Sequence, residues 1–280
     1  MQTNFLSIAF GLASAVSWGA GDFSGGFATK RGSVYVVVWL SQILGGLFLL
    51  TLALLFREPL PTTFDFLLGG VSGLAGVVGL LGLYRGLAEG RMGIVAPLTA
   101  VVAAAVPVIF GAVVEGLPAA LQLVGFAFAL VAVWFLSHTG DGGSIEAKEL
   151  ILPLVAGLGF GFFYILIDQV QPGAVFWPLV AARIASVSLL TIFIFGRGQY
   201  QSPERTQLGP IALSGLFDAG GNAFFVLAAQ AGRLDIAAVL SSLYPVATVF
   251  LAWLILKERL ARQQWIGVAA ALIALVLIAL

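Results

Sequence analysis

Cysteine is absent from this chain, and histidine occurs once, at His138. Without cysteine there is no disulfide, no thiolate metal ligand and no thiol nucleophile. A single histidine with no carboxylate cluster at ligand spacing around it builds no metal site. Charge is scarce as well: 9% of the 280 residues, 13 basic against 13 acidic, for a net charge of zero. That balance offers nothing to nucleic acid or to an anionic surface. The chain also has no P-loop, no Gly-x-Ser-x-Gly and no His-Glu-x-x-His. ATP drive and hydrolysis therefore have no basis, and neither a catalytic residue nor a cofactor is expected.

What the chain has in abundance is apolar side chain, 60% of all positions. A water-soluble globule of this size could not coat itself with so few polar residues, so lipid is the expected solvent. Spanning segments must satisfy their backbone internally, as helices or closed barrels. The apolar runs here are continuous, about twenty residues long and without period-2 alternation, which selects helices. Cuts at charge, Pro and Gly clusters place ten spans near 5–27, 34–56, 66–88, 93–114, 119–138, 149–170, 176–196, 208–231, 235–256 and 261–280. The first run is too long for a signal-peptide core and lacks a basic leader, so it is read as a span. The longer connections, 140–148 and 196–205, leave no room for a soluble domain.

The second half replays the first. At an offset of 142 residues Arg91 meets Arg233, Leu98 meets Leu240, Gln122 meets Gln264 and Gly125 meets Gly267. Near that offset Asp22 pairs with Asp168, Trp18 with Tyr164 and Gln42 with Arg183. The fold expected is an all-α membrane protein of ten transmembrane helices in two five-helix repeats, residues 1–140 and 145–280. Five is odd, so the second repeat enters the membrane from the opposite side, an inverted topology common among secondary transporters. Basic residues of the short loops gather on one face, at Lys30, Arg31, Arg91, Lys148, Arg197, Arg205, Lys257, Arg259 and Arg262. That face is assigned to the cytoplasm, with both termini outside, in the cytoplasmic (inner) membrane.

The ninth and tenth spans carry a more specific text: Ala231-Gly-Arg-Leu-Asp-Ile-Ala-Ala-Val-Leu-Ser-Ser-Leu-Tyr-Pro245, then Ala252-Trp-Leu-Ile-Leu-Lys-Glu-Arg-Leu260, then Gln264-Trp-Ile-Gly267. This resembles the EamA branch of the drug/metabolite transporter superfamily, whose repeat ends in a small-residue helix with a Pro, a Gly-Glu-Arg-Leu-like turn and a Trp-Ile-Gly-like helix start. Lys257 stands where the family's usual Gly falls. The first repeat has a weaker copy, with Pro107 in the helix and Glu115-Gly-Leu117 at the turn, and Trp18-Gly19 is similar to the family's opening motif. The resemblance implies two inverted five-helix repeats, a central cavity and alternating-access transport of small metabolites, often export of amino acids or similar compounds.

An ionisable residue inside a span is costly and becomes a functional candidate by default. Arg183 and Asp218 fall near mid-depth of the seventh and eighth spans at 1.5 Å per residue. They form a candidate substrate site, Arg183 for a carboxylate and Asp218 for an amine or a coupling proton; the alternative is a self-neutralising structural pair. Asn222 lies one turn beyond Asp218 on the same face, as cavity wall or interhelical glue. Trp18, Tyr84 and Tyr244 are the aromatic candidates for the substrate site, whereas Trp39, Trp177 and Trp265 suit an interfacial belt. Asp22 and Asp168, near opposite ends of matching helices, are candidates for coupling or gating, together with the helix-bending Pro97 and Pro245. Arg85 and Glu89 are read as a local i,i+4 pair.

The function expected is secondary transport of a small polar metabolite, with export of amino acids or related compounds first. Export of drugs or organic cations, or import of another metabolite, is the alternative. A membrane-embedded lipid-modifying enzyme is disfavoured for want of clustered acid, base and nucleophile. The partners are a small-molecule substrate and the lipid bilayer, with protons as the candidate coupling ion. No nucleic acid is involved, and the protein is a monomer or homodimer.

Overall fold

The computed structural model describes residues 2–30, 32–89, 92–114, 116–137, 147–256 and 262–279. Among them there is no strand, and eleven helices follow one another: α1 (Gln2–Thr29), α2 (Val34–Leu55), α3 (Thr63–Glu89), α4 (Met92–Val114), α5 (Ala120–Ser137), α6 (Ala147–Asp168), α7 (Phe176–Gly196), α8 (Arg205–Ala231), α9 (Leu234–Ser241), α10 (Tyr244–Leu256) and α11 (Arg262–Ala279). Among the described residues, nine of the ten expected spans are each met by one helix. Arg91, His138, residues 140–146 of the connection before α6 and residues 257–260 of the family-like text lie outside the described residues.

The one departure is the segment 235–256, expected as a single span. It is broken at Ser242 and Leu243 into α9 and α10. The cause is local. Pro245 has no N–H to continue the ladder, and the amides of Leu243 and Val246 take the short three-residue bonds, to Leu240 and Leu243 carbonyls at 3.2 and 2.9 Å.

By length and composition five described helices can cross a membrane: Val34–Leu55, Thr63–Gly86, Leu150–Asp168, Phe176–Gly196 and Arg205–Ala231. Thr99–Val114 and Ala120–Ala132 are shorter apolar helical stretches, and Leu234–Thr248 is another that runs across the α9–α10 break. Large apolar side chains such as Phe5, Leu55, Phe64, Ile109, Val113 and Ile192 point outward, each more than 60% exposed. Lipid would cover such a surface at no cost, whereas water would not.

Inside, the helices pack by small residues. Lipid tails are as apolar as Leu, so helix association rests on close contact. A Cβ added at Gly159 of α6 would stand 2.7 Å from the amide nitrogen of Gly79 in α3, and one at Gly45 of α2 would stand 2.7 Å from the Gly215 carbonyl of α8. The neighbours exchange in pairs: α1 packs on α8 and α6 on α3; α2 packs on α8 and α7 on α3; α1 packs on α9 and α10, and α6 on α4.

One end of the bundle is tied by polar loops. Arg57, with φ of +52°, ends α2 in the left-handed region and turns Glu58 toward the start of α7. The Glu58 carboxylate accepts from the backbone N–H groups of Val175, Phe176 (2.8 Å) and Trp177 (3.2 Å), while Trp177 Nε1 donates to the Glu58 carbonyl at 3.0 Å. A carboxylate there meets the unsatisfied donors and the positive end of the helix together. Buried Asp65 accepts from Thr62 Oγ1 at 2.7 Å and from the Gln171 amide at 3.0 Å. Arg233 pairs with Asp235 at 2.9 Å and donates to the Gly116 carbonyl at 2.9 Å. At the opposite end Gln207 Nε2 donates to the Ala28 carbonyl at 3.0 Å. A crevice of about 910 Å³ opens there, walled by Tyr35, Val78, Arg85, Leu190 and Phe193 among others.

Candidate functional site: a charged cavity at the centre of the bundle

Four polar helix faces converge near the middle of α2, α7, α8 and α1. Gln42 of α2 is the joint. Its Oε1 accepts from Arg183 Nη1 and, at 3.0 Å, from Ser186 Oγ, while its Nε2 donates to Asp218 Oδ2 at 3.2 Å. Arg183 Nη2 lies 2.8 Å from the same carboxylate oxygen. Arg183 and Asp218, assigned to one site from their depth alone, do meet. The amide completes what the pair could not do by itself: it binds the cation with its oxygen and the anion with its nitrogen.

The pair is held but not saturated. The Nη2 contact is an ion pair without hydrogen-bond alignment, and the Nε and Nη2 hydrogens of buried Arg183 find no acceptor among the described residues. An N–H left unmet in a buried site costs about 1–3 kcal/mol. Asp22 of α1, half-buried, has neither a hydrogen bond nor an ion-pair partner among the described residues, although its charge and that of Asp218 repel each other. A carboxylate inside a span is costly to leave without a partner.

These groups line one cavity with Trp18, Gln42, Phe160, Phe163, Asn222 and Tyr244. Its volume is about 50 Å³, room for about three to five water molecules at 10–15 Å³ each. Trp18 Nε1 donates to Asn222 Oδ1 at 3.0 Å, so Asn222 orients an aromatic wall as well as lining the cavity. The Trp18 ring stacks on Tyr164 at 5.5 Å, and Tyr164 on Phe225 at 4.5 Å. Tyr244, at the first turn of α10, is 4% exposed, and its hydroxyl has no partner among the described residues.

The remaining candidates are placed elsewhere. Tyr84 is buried beneath Gly25, and its hydroxyl pairs with Ser214 Oγ at 3.1 Å rather than forming the cavity wall. Asp168 sits at the C-terminal end of α6 and accepts from Gln169 Nε2 at 3.3 Å, away from Asp22. Pro245 lies at the α9–α10 break. Pro97 falls along α4, and its side chain, like that of Glu89, is outside the described residues. Trp177 is tied to Glu58 at the bundle edge, and Trp39 Nε1 donates to Thr191 Oγ1 at 2.8 Å.

The central cavity is separated from the large crevice by a buried apolar cluster. Val77 and Leu80 of that cluster face the cavity, and Leu190 faces the crevice. The arrangement is a polar chamber in an apolar bundle, walled off from the crevice by side chains, with unmet Arg183 donors and an unpartnered carboxylate among its lining residues.

Comparison with known proteins agrees with this architecture. Residues 147–280 match the EamA-like transporter family. The resemblance read from the ninth and tenth spans is thus shown over the second half of the chain. The family consists of membrane transporters, of the drug/metabolite type, and not of enzymes. One solved structure, titled only as the crystal structure of a protein, superposes with a TM-score of 0.81 over 98% of each chain at 15% identity, which establishes a shared fold. No curated protein matches the chain.

Proposed function

We propose that the protein is a secondary transporter that carries a small polar metabolite across the cytoplasmic membrane by alternating access, and that amino acids or related compounds are its exported substrates. The observation that carries this reading is the central chamber, whose wall holds both the Arg183 guanidinium, with N–H groups unmet, and the Asp22 carboxylate, without a partner among the described residues. A zwitterion offers both missing partners at once.

Two further observations support alternating access between inverted halves. The helix neighbours exchange in pairs, as the two halves of a pseudo-symmetric transporter would. Residues at matching sequence positions also touch each other, Gln42 with Arg183 and Trp18 with Tyr164. Symmetry-related groups can touch only beside the axis that relates them, which runs on this reading through the chamber.

Flux of radiolabelled amino acids into proteoliposomes tests the proposal. Asp218→Asn and Arg183→Ala should each reduce it sharply while the purified protein keeps its size-exclusion profile. Unchanged flux in both variants would remove the site assignment. An imposed pH gradient separates proton coupling, for which Asp22 and Asp218 are the available carriers, from uniport.

A further inference from the structure

The charges of the chamber do not balance, and the imbalance has a sign. Arg183 is already faced by Asp218 and Gln42. Counting Asp22, the wall holds two carboxylates and one guanidinium. What it lacks most is a second cation: the guanidinium already has Asp218 and Gln42, whereas the Asp22 carboxyl has no cation beside it among the described residues. The other walls suit a cation as well. Trp18, Phe163 and Tyr164 are among them, and aromatic rings attract ammonium groups once water is excluded. The Tyr244 hydroxyl, 4% exposed and unpartnered among the described residues, is a free acceptor in the same wall.

We propose that Asp22 is the counter-ion for a protonated amine in the chamber, so that the required feature of the ligand is a compact ammonium group and a carboxylate is an addition. Arg183 then acts first as a positioning residue: it holds Asp218 and Gln42 in place, and only its leftover Nε and Nη2 hydrogens are offered to a ligand carboxylate. This assigns Asp22 to ligand selection, where its sequence context had suggested coupling or gating. The inference rests on the transporter reading of the same chamber.

Three probes that share one skeleton separate the possibilities: alanine, ethylamine (alanine without its carboxylate) and propionate (alanine without its amine). Thermal stabilisation of the full-length protein in nanodiscs reads binding to the folded state. The wild type should be stabilised by ethylamine and alanine and not by propionate. Asp22→Asn should weaken ethylamine binding by about 30-fold or more, the loss expected when one partner of a buried charge pair is removed. Asp22→Glu, which keeps the charge, should restore most of it and guards against a merely misfolded Asn variant.

Stabilisation by propionate but not by ethylamine would overturn the assignment, and so would an ethylamine response that survives Asp22→Asn. Flux in proteoliposomes distinguishes the two readings. If flux persists while the Asn variant still binds ethylamine, the counter-ion assignment falls and the transporter stands. If ethylamine binds through Asp22 and no probe is carried, the assignment stands and the transporter reading falls.

Discussion

Glu58 gives the sharpest test of how this bundle is held together. Its carboxylate receives three consecutive backbone N–H groups at the start of α7, those of Val175, Phe176 and Trp177. An ordinary N-cap contributes about 0.5–2 kcal/mol, and a negative charge at a helix N-terminus adds about 0.3–1 kcal/mol. Loss of the side chain in Glu58→Ala should therefore cost about 2 kcal/mol. For a chain of this size that is an apparent Tm lower by about 4–8 °C. Glu58→Gln keeps one acceptor and loses the charge, so it should fall between the two. Differential scanning fluorimetry in nanodiscs measures the shift, and hydrogen exchange at Val175, Phe176 and Trp177 locates it. If the Ala variant melts with the wild type and these amides exchange no faster, the cap is not contributing as argued.

Other expectations follow from the same geometry. Arg183→Met and Asp218→Leu should each destabilise the protein by about 3–5 kcal/mol, since each leaves one charge buried alone, whereas the double variant should recover most of that loss; chemical unfolding checks the non-additivity, and an additive double variant would refute the pairing. Gly159→Val should prevent the α3–α6 contact, because its side chain would meet the Gly79 backbone, and the membrane-inserted yield should collapse. Tyr84→Phe should lose only the Ser214 hydrogen bond, lowering stability by about 1 kcal/mol with substrate flux retained.

Hydropathy found the helices because it averages over twenty residues, and lipid exposure acts on the same average. It missed the α9–α10 break because that break turns on single groups, the absent N–H of Pro245 and the bonds that replace it. Depth arithmetic brought Arg183 and Asp218 together since position along a helix is legible in one dimension. Gln42 was visible only as the repeat partner of Arg183. Its part as the joint between cation and anion depends on which face of α2 turns inward, and a helix apolar on nearly every side carries no such mark. Tyr84 was chosen because its span lines the cavity in proteins that the sequence resembles, yet its hydroxyl pairs with Ser214 of α8. Glu58 and Asp65 carry no mark in the sequence, because the backbone groups they bind, at residues 175–177 and 171, come more than a hundred residues later.

The contact of Glu58 with α7 also works as a ruler. Arg183 is seven residues beyond Phe176, so at 1.5 Å per residue the guanidinium helix position lies about 10 Å from the capped end. A slip of α7 by a single residue along its axis is about 1.5 Å, more than half the 2.8 Å that separates Arg183 from Asp218. The loop carboxylate therefore indexes the height at which the positive charge is presented. Any movement that lets go of Glu58 releases the calibration of the chamber along with the end of the bundle.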